Sequence, residues 1–321
     1  MISIIARIDD VTSHADSVDP AWLTPESTVV FWVDMEGADE AARSLLSTTF
    51  HFHELAIEDA LAELHYPKIE AYDGLLYLIL HGIAPGAGDV GFDTQDVDFF
   101  VGRNFLVTVH NDRSRSIETE RDACLRHTTL LDEGPVSLAY RIIDRLVDHY
   151  NPEVDRLEER LEQLEQTVFD HPEVNPLKQM LSLKSDVASL RRVALPQRDA
   201  VGRLARREFP QISDALAYKF RDVYDHLVRL TDEAIFLQDR VTGLLDAHLS
   251  NQSNRLNQVM KVLTVIATIF MPLTVLSGIF GMNVTLPQLP GGPGAQFWWV
   301  MAMMAAISAV MLWGFRRMKW L

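Results

Sequence analysis

A chain of 321 residues with a formal net charge of −16 is long enough for a sizeable folded body together with a membrane part. The charge is uneven: from Asn257 onward the only charged side chains are Lys261, Arg316, Arg317 and Lys319, a net +4 that leaves −20 on the residues before them. So acidic a body would repel nucleic acid and fits attraction of cations, with plain acidic solubility as the simpler alternative. The single cysteine, Cys124, excludes an intramolecular disulfide framework and a thiolate metal site within one chain.

The N-terminus, Met1-Ile-Ser-Ile-Ile-Ala-Arg-Ile-Asp-Asp10, has too short an apolar run for a signal peptide and acids directly after it, so the soluble part is expected to stay in the cytoplasm. Residues 1 to 130 contain short β-rich runs, Thr28 to Val33, Leu75 to Leu80 and Asn104 to His110, between helical stretches; this pattern predicts an α/β domain with a mixed sheet. Pro85-Gly-Ala-Gly-Asp89 marks a turn between strands, and Asp122 to His127 reads as ordinary helix. From Val136 the character changes to long helices, giving a helical hairpin and stalk over residues 131–256. One helix is predicted from Arg145 to Phe169, with Leu157, Leu161 and Leu164 at helical spacing, and a second, antiparallel to it, from Leu177 to Arg207. After Pro210 no proline appears until Pro272. A single helix from Gln211 to Phe280 would be about 100 Å long and would have to project from the soluble body through a bilayer.

Val262 to Phe280 and Phe297 to Phe315 are uncharged stretches of membrane-spanning length within a two-helix domain, 257–321. Arg255 and Lys261 precede the first, and Arg316, Arg317 and Lys319 follow the second. Both ends are therefore expected in the cytoplasm, with the loop 282–296 outside. Phe297, Trp298, Trp299, Trp313 and Trp320 suit interfacial belts. Two helices cannot enclose a water-filled path, so ion conduction would need several copies around a common axis.

Along the long helix Asp225, Asp232, Asp239 and Asp246 recur every seven residues, and the register continues through Ser253, Met260, Ala267 and Thr274 to Gly281. Positions four residues on include Asn257, Thr264, Met271 and Gly278. A separate stripe, Leu227, Leu230, Ala234, Leu237, Val241 and Leu244, is suited to helix packing. With the acidic stripe facing an axis, Asp232, Asp239 and Asp246 would form carboxylate rings in a vestibule; an ordinary solvated face is the plainer reading. Intramembrane polar residues such as Thr264 and Thr274 favour interiors or pathways, whereas Ala267 and Gly278 also suit close helix packing. A path for hydrated magnesium would present oxygens such as the amides of Asn257 and Asn283. His51, His53, His226 and His248 do not form the multi-histidine set that zinc prefers and read as structural or surface residues.

The segment from Asn257 to Asn283, ending Gly281-Met282-Asn283, closely resembles the signature of the CorA family of divalent metal ion transporters. His51-Phe-His-Glu-Leu-Ala-Ile-Glu-Asp59, Pro67 to Asp73, Asn104 to His110, Leu195 to Arg198, Phe220 to His226, Gly243 to Asp246 and the closing Lys319-Trp-Leu321 are also similar to family patterns. The resemblance implies an α+β membrane protein: an N-terminal cytoplasmic α/β domain, a long stalk helix and two C-terminal transmembrane helices, assembled as a homopentamer in the inner (plasma) membrane. It implies passive influx of hydrated Mg2+, with Co2+ or Ni2+ as surrogates, and no cofactor beyond the transported and regulatory ion. By matching position, Gly281, Met282 and Asn283 would form the selectivity ring. Asn257 and Thr274 would be further polar rings, Met260, Leu263 and Met271 would narrow the pore, and Asp246 would line the inner vestibule; the helix register adds Thr264, Ala267 and Gly278 to the pore lining. Asp222 matches an acidic position at which cytoplasmic magnesium binds between subunits and closes the channel; its partner is not fixed by motif, with Asp89, Asp93 and Asp96 as candidates.

The outer loop departs from many members. It lacks the Met-Pro-Glu-Leu stretch and carries no acid, which weakens attraction of the ion at the mouth. The zinc-transporting ZntB branch usually alters the middle residue of the tripeptide, so Met282 favours magnesium. A zinc or other transition-metal transporter, with or without proton coupling, is the alternative within transport, and a membrane-anchored oligomeric scaffold is the alternative outside it. An enzyme is not expected, since no nucleophile, phosphate-cradling loop or ligand cluster stands out.

Overall fold

Apolar and β-branched runs in the first 110 residues form β1 (Ile2–Ile8), β2 (Val11–Ala15), β3 (Val30–Glu36), β4 (Lys68–Tyr72), β5 (Leu75–Ile83), β6 (Thr94–Val101) and β7 (Phe105–His110). The computed structural model describes residues 1–62, 65–86, 91–127, 129–170, 174–282 and 292–320. Its sheet has the order β2-β1-β3-β7-β6-β5-β4, antiparallel except for β3 beside β7. Two compact units are present, Met1–Leu245 and Asp246–Leu321.

In the first unit helices cover both faces of the sheet. On one face α1 (Glu40–Ser44) and α2 (Glu54–Leu61) bring Ala42, Ala56, Ile57 and Ala60 against Leu75, Tyr77 and Ile79 of β5. On the other, α3 (Arg115–Arg126) and α4 (Pro135–Asp148) bring Ile117, Leu138, Ile142 and Leu146 into the core that holds Leu76, Leu78 and Leu80. Alternate residues of one strand thus enter different cores, which is why β5 reads as an unbroken apolar run. Gly82 near its end permits close approach of α4, because a Cβ there would lie 2.5 Å from Leu146 Cδ2. Several polar groups inside this layered body are paired, although His65 Nδ1, Gln95 Oε1, Gln197 Nε2 and Gln211 Oε1 have no hydrogen-bond partner. Asp34 accepts from Thr108 Oγ1 at 2.6 Å and meets His110 Nε2 at 3.1 Å. Burial opposes the charged imidazole of His110, but Asp34's hydrogen bond and charge outweigh it and raise its pKa.

The helix expected from Arg145 to Phe169 is two helices, α4 ending at Asp148 and α5 (Asn151–Asp170) beginning anew. Pro152 explains the break: it has no N–H for the ladder and its ring clashes with the preceding turn, yet it suits a first helical turn. Tyr150, in the junction, is fully buried and donates its hydroxyl to His81 O at 2.9 Å. α6 (Leu177–Ala205) follows beside α5, joined to it by Arg160 and Asp186 at 2.7 Å.

α7 (Asp214–Phe280) is unbroken over 67 residues. Its buried side chains in the first unit include Phe220, Val223, Leu227, Leu230, Ala234, Leu237, Val241 and Leu244, which alternate in steps of three and four. They belong to the same core as Leu157, Leu161 and Leu164 of α5 and Leu183, Val187 and Leu190 of α6. Each fully buried leucine or valine is worth about 1.5–3 kcal/mol over exposure, so this seam fixes α7 to the hairpin. Arg240 to Glu165 at 2.8 Å and Arg191 to Gln238 at 2.7 Å add orientation more than stability.

The second unit contains the rest of α7 and α8 (Pro293–Arg317), the two helices long and apolar enough to cross a membrane. The turn after α8 is fastened to α7: Lys261 Nζ donates to Lys319 O at 3.4 Å and lies 5.7 Å from the Trp320 ring, which stacks on Phe315. This contact makes the two apolar helices an antiparallel pair.

Candidate ion pathway and acidic stalk

α7 places the proposed pore stripe on one continuous element. Asn257, Met260, Leu263, Thr264, Ala267, Met271, Thr274 and Gly278 are all exposed in the single chain, and in this unit Val265 and Phe315 are the buried apolar side chains among the described residues. Met271, at 72% exposure, and Leu263, at 65%, need lipid or another protein surface against them. Thr264 Oγ1 donates to Met260 O and Thr274 Oγ1 to Phe270 O, both at 2.8 Å. Each hydroxyl spends its proton on its own helix and turns lone pairs outward, an arrangement that presents oxygen acceptors to a water shell. Pro272 lacks an N–H for the Thr268 carbonyl, but the helix continues to Phe280.

The helix end explains the first residue of the tripeptide. Gly281 N donates to Ser277 O at 2.9 Å and Met282 N to Ile279 O at 3.3 Å, closing a turn over the last helical carbonyls. A Cβ on Gly281 would sit 2.9 Å from Ser277 O, so any larger residue must open this turn. Asn283 lies outside the described residues, as do residues 284–291 of the outer loop.

Asp225, Asp232, Asp239 and Asp246 are exposed, on the side of α7 away from the buried seam. Asp222 is exposed too. Near it Asp144 and Asp148, one turn apart on α4, add carboxylates: burial raises the pKa of Asp144, and the charges of Asp148 and Asp222 raise it further. His226 Nδ1 lies 3.9 Å from Asp148 Oδ1. The candidate partners of Asp222 lie elsewhere in the chain. Asp96 is buried on β6 and accepts from His65 N at 3.0 Å, while Asp93 Oδ1 caps Thr94 N at 2.9 Å. Asp89 lies outside the described residues. Among the described residues no three or more histidine, cysteine, aspartate or glutamate side chains converge to hold a metal. His53 instead caps α2, accepting from Leu55 N at 3.2 Å, and His51 Nδ1 meets Ser47 O at 3.1 Å. Burial pushes the Cys124 thiol up to about 12, so it stays protonated and inert. The Asp144 and Asp148 neighbours of Asp222 were not singled out in the sequence, although their spacing of four on one helix is a readable signal.

Comparison with known proteins adds a family. The model described as "CorA-like Mg2+ transporter protein" matches residues 27–317. The putative metal ion transporter YfjQ of Bacillus subtilis is 33% identical over 291 residues, 90% of this chain and 89% of its own length. The cobalt/magnesium transport protein CorA of Thermotoga maritima is 31% identical over 315 residues, 97% of this chain and 88% of its own. The solved complete structure of the CorA magnesium transporter from Methanocaldococcus jannaschii covers 100% of this chain and 99% of that one, with TM-score 0.82 at 23% identity. That likeness is one of fold: a mixed-sheet N-terminal domain, a long helix and two C-terminal apolar helices.

Proposed function

We propose that this protein, which belongs to the CorA-like Mg2+ transporter family, is a homopentameric channel admitting hydrated Mg2+ down the membrane potential. Family membership makes it a divalent metal ion transporter in a membrane; the ion, the assembly and the gate are the further reading. The observation that carries it is the unbroken α7, on which the exposed oxygen-bearing positions Asn257, Thr264 and Thr274 lead to the Gly281-Met282 turn. Hydroxyl and amide oxygens bind the water shell of a hard cation without stripping it, which suits Mg2+ better than a softer ion. Gly281, Met282 and Asn283 would form the outer ring, Met260, Leu263 and Met271 the narrow part, and Asp232, Asp239 and Asp246 an acidic vestibule. Cytoplasmic Mg2+ bound at Asp222 of one copy and an acidic group of the next would hold the ring shut. Both termini would lie in the cytoplasm.

The decisive experiment is ion uptake by proteoliposomes of the purified protein, with Mg2+ and Zn2+ side by side. Mg2+ uptake should exceed Zn2+ uptake and follow an imposed inside-negative potential. Asn283→Ala should lower it by more than about tenfold, roughly 1.4 kcal/mol in the barrier, with assembly intact. Zn2+ flux driven by a proton gradient would replace the magnesium reading, and normal flux in Asn283→Ala would remove the selectivity assignment.

A further inference from the structure

A cavity of about 530 Å3 in the first unit lies between the end of β5, the start of α3 and the start of α5. It is remote in sequence from the α7 stripe and from Asp222, and nothing in ion conduction uses it. Ile83, Ala84, Pro85 and Pro152 give it an apolar lining, Arg113, Arg115 and Arg156 a basic one, and His149 lies among them. Among the described residues of its lining, two carboxylates are present and both are engaged: Glu118 Oε1 accepts from Arg113 Nε at 2.5 Å, and both oxygens of Glu153 accept from Arg156 Nη1, at 3.1 and 2.8 Å. A cation would find no open carboxylate among these residues. Arg115 is exposed and makes no ion pair with a carboxylate among the described residues.

Among the described lining residues three guanidinium groups stand against two carboxylates, a positive balance on a body that carries −20 before Asn257. The local sign therefore opposes the field of the whole body, as expected where a site is built for an anion. The first-turn backbone N–H groups of α3 point the same way, because Ser114 supplies no side-chain cap to them. His149 accords with this. Burial lowers its pKa, with the positive charges of Arg115 and Arg145 lowering it further, and its Nδ1 is taken by Ser116 Oγ at 2.9 Å. The volume exceeds what an inorganic anion fills, and the apolar residues offer a surface to an organic group.

We infer that this cavity binds an organic phosphate of nucleotide size, with its phosphates at Arg113 and Arg115 and its organic part against Ile83, Pro85 and Pro152. Guanidinium groups suit this role because their planar donors match phosphate oxygens in pairs. The test is calorimetric titration of the full-length protein in detergent, with EDTA present so that metal binding does not contribute, using ATP, inorganic phosphate and adenosine as separate probes. ATP should bind with submillimolar affinity, inorganic phosphate more weakly, and adenosine not measurably. Arg115→Glu, at an exposed position with no ion pair among the described residues, should weaken ATP binding by at least about tenfold with an unchanged melting temperature; Arg113→Gln should act in the same direction. Absence of ATP binding at millimolar concentration, adenosine binding as well as ATP, phosphate binding as tightly as ATP, or wild-type affinity in Arg115→Glu would each overturn the assignment.

Discussion

Asp144, beside Asp148 and Asp222, shows how a carboxylate depends on its neighbours. Burial, then Asp148 and Asp222, raise the pKa of Asp144 in the folded chain above its unfolded value. Such a group contributes stability that is fully present below the ordinary carboxylate range and is lost as pH rises through its folded value. At neutral pH the region around Asp222 therefore stores repulsion that a bound divalent cation would offset. If Asp222 is the regulatory ligand, Mg2+ should raise the melting temperature of the purified protein at neutral pH and have little effect below the carboxylate range. Asp222→Lys should stabilise the metal-free protein, abolish the Mg2+ increment and weaken inhibition of uptake by internal Mg2+. Equal Mg2+ protection of the variant and the wild type would end the sensor role of this residue.

At the scale of elements, α7 carries two opposed faces whose substitutions should have opposite signatures. Leu237→Ala, at a seam position 2% exposed, should cost about 2–5 kcal/mol in denaturant unfolding of the first unit. Asp239→Asn, exposed on the other side, should change stability by less than about 0.5 kcal/mol. It should nevertheless slow ion uptake at low ionic strength, and an unaffected rate there would make the acidic stripe a solvated face only. Both faces were legible in the sequence, because a heptad is readable wherever proline and glycine do not interrupt it, and none but Gly243 does between Asp214 and Pro272. β5 and β7 were legible for a similar reason, being continuous apolar runs. β6 was hidden by its acids: Asp96 and Asp98 look like surface residues, yet both are buried. Asp98 is reached by the Tyr77 hydroxyl at 2.5 Å, and burial raises its carboxyl pKa well above the usual range. Asp93 and Asp96 are engaged within the fold, with Thr94 N and His65 N, and such pairing is a property that no local pattern carries. The same applies to the need for glycine at residue 281, which becomes visible only once Ser277 O is in place beside it.

For the molecule as a whole, the exposed apolar surface of both C-terminal helices and the absence of any enclosed path through a helix pair make assembly the central expectation. The protein purified in mild detergent should run as a closed ring of five copies by native mass spectrometry. A monomer that still transports after reconstitution would refute a shared pore. The division at Leu245 also has a bearing on how the protein is made. The sheet, both of its helical layers and the α7 seam as far as Leu244 use only residues translated before the first span, which begins near Val262. N-terminal units generally fold during synthesis, so the acidic body can reach its final packing while the first strongly apolar segment is still inside the ribosome. Membrane targeting then falls to a nascent chain whose first unit is already closed, and insertion and assembly become the late events in its biogenesis.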